Sequence, residues 1–394
     1  MWQNFKNVYH LGQAGIANIL HGFPAKQLSV IGVTGTDGKT TTAHLIYHLL
    51  KTANFNVSLI STITAKIGDT EINTGFHVTT PSPFSLQKYI KQAKNSGSRF
   101  LILEITSHAI DQNRVFGVPI SVGVLTNVTH EHLDYHKTYE NYLKTKARLL
   151  TAAFVSVINR DDESYMSLMQ KLSSMQKHVL TYGMTPDADI NPHVFNYKTL
   201  IPGEFNLYNS LAAAGVCRLL GISDELIKKG LETFMLPPGR LELMHDNEYK
   251  VYIDFAHTPN AFAKLLPFLR KELGEGCRLI HVFGGAGDRD RSKRPLMGKI
   301  ASEFADSIIL TAEDPRNEDP RNIAEEIVLG ITKRGGKEVF IEPDRKKAIA
   351  FAIAKAQKGD IVIITGKGHE RSMNFGNGEV PWSDQEVVRE VMKK

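Results

Sequence analysis

The chain has 394 residues, of which 42% are hydrophobic and 23% charged, and its formal net charge is +5. This length predicts two or three domains, each with enough apolar residues for a core. Basic and acidic residues are interleaved, which favours an anionic small-molecule ligand and argues against a nucleic-acid surface. The two cysteines, Cys217 and Cys277, lack a metal-type spacing and are typical of reduced thiols in a cytoplasmic protein.

Residues 1–27 carry scattered apolar side chains at helical spacing, which predicts a helical segment packed on the first domain. They lack the uninterrupted apolar core of a signal peptide, and no later window approaches a membrane-spanning length. We therefore expect a protein that does not bind a membrane.

A glycine-rich loop follows the first predicted strand, residues 29–33, and precedes helical spacing over residues 43–50. In strand–loop–helix order, the glycine backbone and the helix N-terminus bind a polyphosphate through their N–H groups. Lys39 would reach the outer phosphates and Thr40 could hold Mg²⁺. The spacing is the short Gly-x-x-Gly-Lys-Thr variant, and a plain glycine turn is the alternative interpretation. The loop consists of Thr34, Gly35, Thr36, Asp37, Gly38, Lys39, Thr40, Thr41 and Thr42.

Strands alternate with helices over residues 28–237, which predicts a P-loop ATPase-like central α/β domain with a mostly parallel sheet. A proline–proline–glycine segment then breaks both helix and strand, and we place the domain boundary there. Further strands are predicted at 57–63, 100–105, 121–125 and 155–158, and helices at 85–94, 139–150, 209–220 and 224–235.

The alternation restarts over residues 238–394 and predicts a second, Rossmann-like α/β domain. Because ligands of parallel sheets bind at the carboxyl ends of the strands, polar residues at those ends are the candidate site residues. Strands are predicted at 251–254, 279–283, 307–311, 339–341 and 361–365, and helices at 260–273, 296–304, 323–333, 346–355 and 384–392.

Two candidate magnesium ligands, Glu104 and His132, lie at or just beyond predicted strand ends of the first domain. A capping glutamate and a hydrogen-bonded loop histidine are the alternative. Lys146 lies on a predicted helix, where a lysine is usually solvated. Asn206 and Asn209 open another helix, where an amide is a good cap.

In the second domain, acids, arginines and glycine-rich backbone follow several strands. Asp254 ends one strand, at a position suited to a ribose or a metal-bound phosphate. The segments 284–291, 313–316 and 365–370 would together suit a zwitterion, with acids for its ammonium and arginine for its carboxylate. Surface turns with ordinary charge pairs are the alternative.

Taken together, these segments resemble the Mur ligase family, ATP-dependent enzymes that join an amino acid to a cytoplasmic cell-wall precursor. The resemblance runs from about Val30 to the end, with Asp37 where asparagine is usual. It implies catalytic roles for Lys39, Glu104, His132, Lys146 and Arg240, with Mg²⁺ on Thr40, Glu104, His132 and a carbamylated Lys146. It implies ATP contacts by the loop residues 35–41 and by Asn206, Asn209, Arg240 and Asp254.

The resemblance also implies two sets of substrate-binding residues. The muramoyl-peptide acceptor would be held by Thr79, Thr80, Thr106, Gln112 and Arg114. The incoming amino acid would be held by Arg289, Asp314, Arg316, Gly366 and Glu370. Arg316 favours meso-diaminopimelate, whereas Asp314, where the family has an amide, leaves lysine possible.

Members that use such acceptors carry an N-terminal domain that grips uridine diphosphate, and here residues 1–27 precede the first strand. We expect the uridine end to be held weakly or by a partner, or the acceptor to be a related muramoyl or glutamyl compound. We otherwise expect a monomer with small-molecule substrates.

The expected reaction passes through an acyl phosphate, with closure at residues 237–239 bringing nucleotide and amino acid together. Two alternatives remain at this stage. One is a polyglutamate-type ligase of the same superfamily, and the other is a nucleotide-binding protein without turnover.

Overall fold

Two sheets of mostly parallel strands organise the chain, and each belongs to a separate compact unit. The computed structural model describes residues 2–72, 79–129, 131–332 and 337–393. The units are Met1–Met235 and Leu236–Lys394. Both are mixed α/β units, which confirms the predicted fold class.

The first unit contains eight strands within its described residues, in the order β4-β3-β2-β5-β1-β6-β7-β8. Six neighbouring strands of this sheet, β2, β5, β1, β6, β7 and β8, run parallel to one another. Strands β3 and β4 extend the sheet beyond β2 as antiparallel strands. The strands are β1 (Ser29–Thr34), β2 (Val57–Ile60), β3 (Ala65–Ile67), β4 (Thr70–Ile72), β5 (Phe100–Glu104), β6 (Val122–Leu125), β7 (Val155–Asn159) and β8 (His178–Tyr182).

Both faces of this sheet are covered. Val30 and Ile31 are adjacent, so they point to opposite faces, and neither has any exposed surface. The Val30 face packs against α3, α4 and α6 in one apolar cluster. The helices are α1 (Trp2–His21), α2 (Lys39–Thr52), α3 (Pro83–Asn95), α4 (Ser107–Asp111), α5 (Leu133–His136), α6 (Tyr139–Ala152), α7 (Tyr165–Ser174), α8 (Glu204–Leu219) and α9 (Asp224–Thr233), with a short 3₁₀ helix at Pro24–Gln27.

The second unit has a sheet of six strands within its described residues, in the order β13-β12-β11-β14-β10-β9. All are parallel except the edge strand β9, which is antiparallel to β10. The strands are β9 (Glu242–Asp246), β10 (Lys250–Asp254), β11 (Leu279–Phe283), β12 (Ser307–Leu310), β13 (Glu338–Ile341) and β14 (Ile361–Thr365), with a separate hairpin of β15 (Ser372–Asn374) and β16 (Glu379–Pro381).

The helices of the second unit follow its strands in the alternation expected for parallel pairing. They are α10 (Pro259–Glu272), α11 (Lys293–Phe304), α12 (Pro320–Val328), α13 (Arg345–Lys355) and α14 (Asp384–Met392). Helices α13 and α14 contribute Ile349 and Val388 to the core of this unit. No helix in the described ranges has the length and apolarity needed to cross a membrane.

Several predicted boundaries were wrong. The strand predicted at 57–63 ends at Ile60 because Ser61 turns back, its N–H donating to the Thr64 carbonyl at 3.0 Å. The helix predicted from residue 209 begins at Glu204, with Gly203 as its N-cap, so Asn206 and Asn209 lie inside the helix and are not caps. Strands β3, β4, β8, β9, β15 and β16 and helices α4, α5 and α7 were not predicted.

Candidate functional site

The glycine-rich loop lies at the carboxyl end of β1, in the centre of the first sheet. Strands β5 and β6 flank β1, with Val33 paired to Glu104 and Thr34 to Leu125. The polar residues that follow the flanking strands therefore reach the loop from both sides. Tertiary pairing, rather than sequence proximity, brings these groups together.

Residues after β6 hold the loop by its main chain. Thr126 Oγ1 donates to the Asp37 carbonyl at 2.6 Å, and Asn127 Nδ2 donates to the same oxygen at 3.1 Å. The Asp37 N–H donates back to Asn127 Oδ1 at 2.9 Å. These three bonds use only the main chain of Asp37, so they do not depend on its side chain.

Two glycines allow this close packing. Gly35 has φ of +152°, and a Cβ there would lie 1.7 Å from Thr126 Oγ1. Gly38 is the N-cap of α2 with φ of +81°, and a Cβ there would lie 2.4 Å from Asn209 Oδ1. Any side chain at either position would displace the loop or its support. The loop backbone is thus shaped by glycine, as a phosphate cradle requires.

Lys39 and Thr40 begin α2 directly after Gly38. Lys39 Nζ donates to the Thr36 carbonyl at 2.8 Å, which holds the ammonium beside the loop. Thr40 Oγ1 donates to Glu104 Oε1 at 2.9 Å. The loop therefore places a positive charge and a hydroxyl–carboxylate pair at a helix N-terminus, the arrangement that suits a polyphosphate with its metal ion.

The Glu104 carboxylate is buried and accepts three hydrogen bonds in all, one from Thr40 and two from Thr62. Besides Thr40, Thr62 donates through its main-chain N–H to Oε2 at 2.9 Å and through Oγ1 to Oε1 at 2.8 Å. These bonds fix the carboxylate beside the loop. Thr62 was not singled out from the sequence, although it follows β2 and so lies at the same edge of the sheet.

The donor set at this edge fits Mg²⁺, which prefers carboxylate and hydroxyl oxygens together with phosphate and water. Thr40 and Glu104 supply such oxygens next to the phosphate loop. Within the described ranges no group of three or more His, Cys, Asp or Glu residues could by itself hold a metal ion. A magnesium ion held by Thr40 and Glu104 would have positions left for phosphate oxygens and water.

Lys146 is buried on α6, so the alternative of a solvated helix face was wrong. Its Nζ donates to the Gly35 carbonyl at 2.6 Å and lies 4.5 Å from the ring centre of Tyr142. Burial lowers the pKa of Lys146 well below its ordinary value, and the nearby Lys39 charge lowers it further. Its neighbour Lys144 is exposed.

His132 lies in an aromatic cluster next to Lys146. Its ring centre is 4.9 Å from that of His108 and 6.1 Å from that of Tyr142, and its backbone is left-handed with φ of 57°. Tyr142 in turn lies 3.2 Å from Thr36 Oγ1 through its hydroxyl. His132 is thus connected to the loop by way of Tyr142.

The residues assigned to the acceptor form one hydrogen-bonded group. Thr80 Oγ1 donates to the Glu104 carbonyl at 3.1 Å and accepts from the Thr106 N–H at 3.1 Å. Arg114 donates to the Thr80 carbonyl at 3.0 Å and to Gln112 Oε1 at 2.6 and 2.9 Å. Thr79, half-buried, precedes this group along the chain. The group adjoins Glu104 at the same strand end.

Asn206 and Asn209 lie on the first turns of α8, where Asn209 Nδ2 donates to Asn206 Oδ1 at 3.1 Å. Asn209 Oδ1 accepts from Thr42 Oγ1 at 3.2 Å, which joins α8 to α2 directly behind the loop. Both asparagines are buried. Their position next to Gly38 is compatible with contact to a nucleotide.

In the second unit, Asp254 and Arg240 lie at the carboxyl end of β10. The Asp254 carboxylate accepts from the Leu241 N–H at 2.6 Å and from the Ala256 N–H at 2.7 Å. The Arg240 guanidinium lies 4.5 Å from the ring centre of Phe255. The two residues are therefore brought to one place although they belong to different segments.

The residues assigned to the amino acid also converge. The Gly287 N–H donates to the Asp314 carbonyl at 2.8 Å, and an Arg316 side-chain nitrogen donates to the Gly287 carbonyl at 2.5 Å. Lys367 Nζ donates to Asp314 Oδ1 at 2.8 Å and forms an ion pair with Glu370. Arg289 is exposed in the adjoining loop. Lys367 lies in the segment 365–370 named from the sequence but was not among the residues assigned to the amino acid, and its pairing with Asp314 is seen only in the structure.

The arrangement defines a class of protein: an α/β enzyme that uses a phosphate loop to bind a nucleotide and has a second α/β unit with its own polar strand ends. The family description "Mur ligase middle domain" matches residues 33–217, and "Mur ligase, glutamate ligase domain" matches residues 239–368. The chain belongs to the Mur ligase family and is an ATP-dependent ligase.

Three similar proteins illustrate the relationship. The UDP-N-acetylmuramoyl-L-alanyl-D-glutamate–2,6-diaminopimelate ligase of Aquifex aeolicus is 39% identical over 95% of this chain and 80% of its own. A solved structure of a ligase with the same name has a TM-score of 0.62 at 32% identity, covering 93% of this chain and 78% of that one. The Mycobacterium tuberculosis folylpolyglutamate synthase, solved with ADP and AMPPCP, shares the fold with a TM-score of 0.73 at 18% identity, covering 98% and 95%.

Proposed function

We propose that this chain adds a diamino acid, meso-diaminopimelate in preference to lysine, to the terminal carboxylate of a UDP-N-acetylmuramoyl-dipeptide or a related acceptor in peptidoglycan precursor synthesis. The observation that carries this proposal is the buried Thr40–Glu104 pair, which adjoins both the phosphate loop and the acceptor group at Thr80. The name of the relative at 39% identity supplies the substrate class.

The proposed reaction has two steps. An oxygen of the acceptor carboxylate bonds to the γ-phosphorus of ATP, and the bond to the bridging oxygen breaks so that ADP leaves. The amine of the amino acid then bonds to the acyl carbon, the phosphate leaves, and the amine loses a proton. Lys39 and the N–H groups of the loop stabilise the charge that develops on the phosphates.

Thr40, Glu104, His132 and a carbamate on Lys146 are the groups that would hold Mg²⁺, which supplies charge neutralisation at the phosphates when bound. A lysine that is largely neutral is the nucleophile that a reaction with CO₂ requires, and burial favours the neutral form of Lys146. The carbamate formed in this way is an anion, so it can serve as a metal ligand, whereas the ammonium form of lysine cannot.

The test is a phosphate-release screen that crosses diaminopimelate, lysine and glutamate with muramoyl-dipeptide acceptors, with and without the UDP group, and with a pterin acceptor. We expect release that requires diaminopimelate and a muramoyl acceptor, and its loss in Lys39→Ala. Release that requires glutamate and the pterin would replace the proposal with a polyglutamate-type ligase. ATP binding without release in any combination would indicate a nucleotide-binding protein.

The pair of UDP-bearing and UDP-free acceptors addresses the uridine end separately. Equal KM values for the two acceptors would mean that this chain does not grip the uridine diphosphate. A much lower KM for the UDP-bearing acceptor would place a uridine site on this chain or on a partner present in the preparation.

A further inference from the structure

Lys367 is a fully buried cation held between two carboxylates. Its Nζ donates to Asp314 Oδ1 at 2.8 Å and pairs with Glu370 on the same turn. The side chain of Lys367 is 0% exposed, against 8% for Asp314 and 15% for Glu370. Such an ammonium must be compensated by its partners, because a buried unpaired charge is costly.

The backbone fixes this lysine in place. Gly366 and Gly368 flank it with φ of +107° and +51°, and a Cβ on Gly366 would lie 2.7 Å from Glu313 Oε2. The N–H of Asn374 donates to the same Asp314 oxygen at 3.1 Å. Asp314 therefore receives two donors on one side, so its orientation is set by Lys367 and by the hairpin that begins at Ser372.

We propose that Lys367 is a positioning residue of the amino-acid site: by pairing with both Asp314 and Glu370 it fixes their carboxylates and leaves the trio with one net negative charge, which binds the ammonium of the incoming amino acid. This inference rests on the proposed function.

Each substitution at Lys367 or Asp314 changes the net charge of the Lys367, Asp314 and Glu370 side chains in a different way. Lys367→Met leaves the buried Asp314 and the partly buried Glu370 without the cation that lies between them, so the two carboxylates repel and lose their orientation. Asp314→Asn leaves Lys367 paired with Glu370 alone, so these two side chains together carry no net charge to attract an ammonium. The double variant keeps Glu370 alone and regains one negative charge.

The experiment measures phosphate release by the full chain, varying the amino acid at saturating ATP and acceptor. We expect Lys367→Met and Asp314→Asn each to raise the KM for the amino acid about tenfold or more. The KM of the double variant should lie between the values of the single variants and that of wild type. The KM for ATP should stay within about twofold of wild type in all three. Lys358→Met, an exposed lysine of the same unit, is the matched control.

A KM for the amino acid that is unchanged in Lys367→Met overturns the inference while leaving the proposed function intact. So does a double variant that is no better than either single variant, since a merely structural lysine gives no rescue. Should Lys367→Met fail to fold, the KM values of Asp314→Asn and of the double variant still decide between a positioning role and a merely structural role for Lys367. Wild type without amino-acid-dependent release overturns the proposed function, and this inference with it.

Discussion

The Nζ of Lys146 lies 2.6 Å from the carbonyl oxygen of Gly35, in the interior of the first unit. A lysine on a helix thus reaches the first glycine of the phosphate loop from a position 111 residues away in the chain. The same glycine has no room for a side chain, because a Cβ there would lie 1.7 Å from Thr126 Oγ1.

We expect Lys146→Met to reduce kcat by about a hundredfold or more, because it removes the group proposed to become a carbamate at the metal site. Lys144→Met, on the exposed side of the same helix, should retain wild-type activity. Intact mass measured in bicarbonate at neutral pH should show an added CO₂ in wild type and none in Lys146→Met. Full activity in Lys146→Met would contradict the assignment.

Thr40→Val keeps the shape of the side chain but removes the hydroxyl that donates to Glu104 at 2.9 Å. We expect the Mg²⁺ concentration for half-maximal activity to rise, and kcat to fall about a hundredfold, because a metal ligand is lost. Thr52→Val, at the far end of the same helix, is the control. A Mg²⁺ dependence identical to that of wild type would mean that Thr40 is not a ligand.

Glu313 predicts an unusual pH dependence of stability. Burial, against the lowering effect of Lys293, Arg345 and Lys367 and with a smaller contribution from Asp314, raises the pKa of Glu313 to about 7. The unfolded chain releases this proton near its ordinary pKa of 4.5, whereas the folded chain keeps it until about pH 7. The contribution of Glu313 to stability therefore falls as pH rises between these values, and the loss is complete above the higher one.

We expect the free energy of unfolding of Glu313→Gln, measured relative to that of wild type, to rise by up to about 3 kcal/mol between pH 5 and 8. This is the free-energy equivalent of the pKa difference between the folded and unfolded chain. The measurement is urea unfolding followed by Trp382 fluorescence in a Trp2→Phe background, since the chain has 2 tryptophans and Trp382 reports on the second unit. Glu275→Gln, an exposed position, is the control. A difference between Glu313→Gln and wild type that does not change with pH would refute the expectation.

Arg345 and Asp384 form a buried two-point ion pair. Arg345 donates to Asp384 at 2.8 and 2.7 Å, and also to the carbonyls of Ala312 and Thr365. Asp384→Ala should therefore lower the free energy of unfolding by about 3–5 kcal/mol, because it leaves a buried guanidinium without its carboxylate partner.

Glu390→Ala breaks the exposed Lys346–Glu390 ion pair and should lower the free energy of unfolding by less than about 1 kcal/mol. The same fluorescence-detected unfolding measures both variants. Equal costs for Asp384→Ala and Glu390→Ala would show that burial does not distinguish the two pairs.

The central strands and the phosphate loop could be predicted because their signals are local. Apolar β-branched runs, glycines before a lysine and helical spacing all lie within a few residues of one another. The edge strands β4 and β9 were missed because none of their side chains is buried, and β3 was missed because three residues carry too little periodicity. Helix α8 was predicted to begin too late because Gly203, not an asparagine, is its N-cap.

The sequence by itself determined the α/β class, the nucleotide-binding loop and the polar strand ends, since each depends on neighbouring residues. Only the tertiary structure decided that Lys146 is buried against Gly35, that Thr62 holds Glu104, and that Lys367 joins Asp314 to Glu370. The physical reason is strand order. Parallel pairing brings together the ends of strands that are far apart in the chain, and the burial that results sets the charges and pKa values that local sequence does not encode.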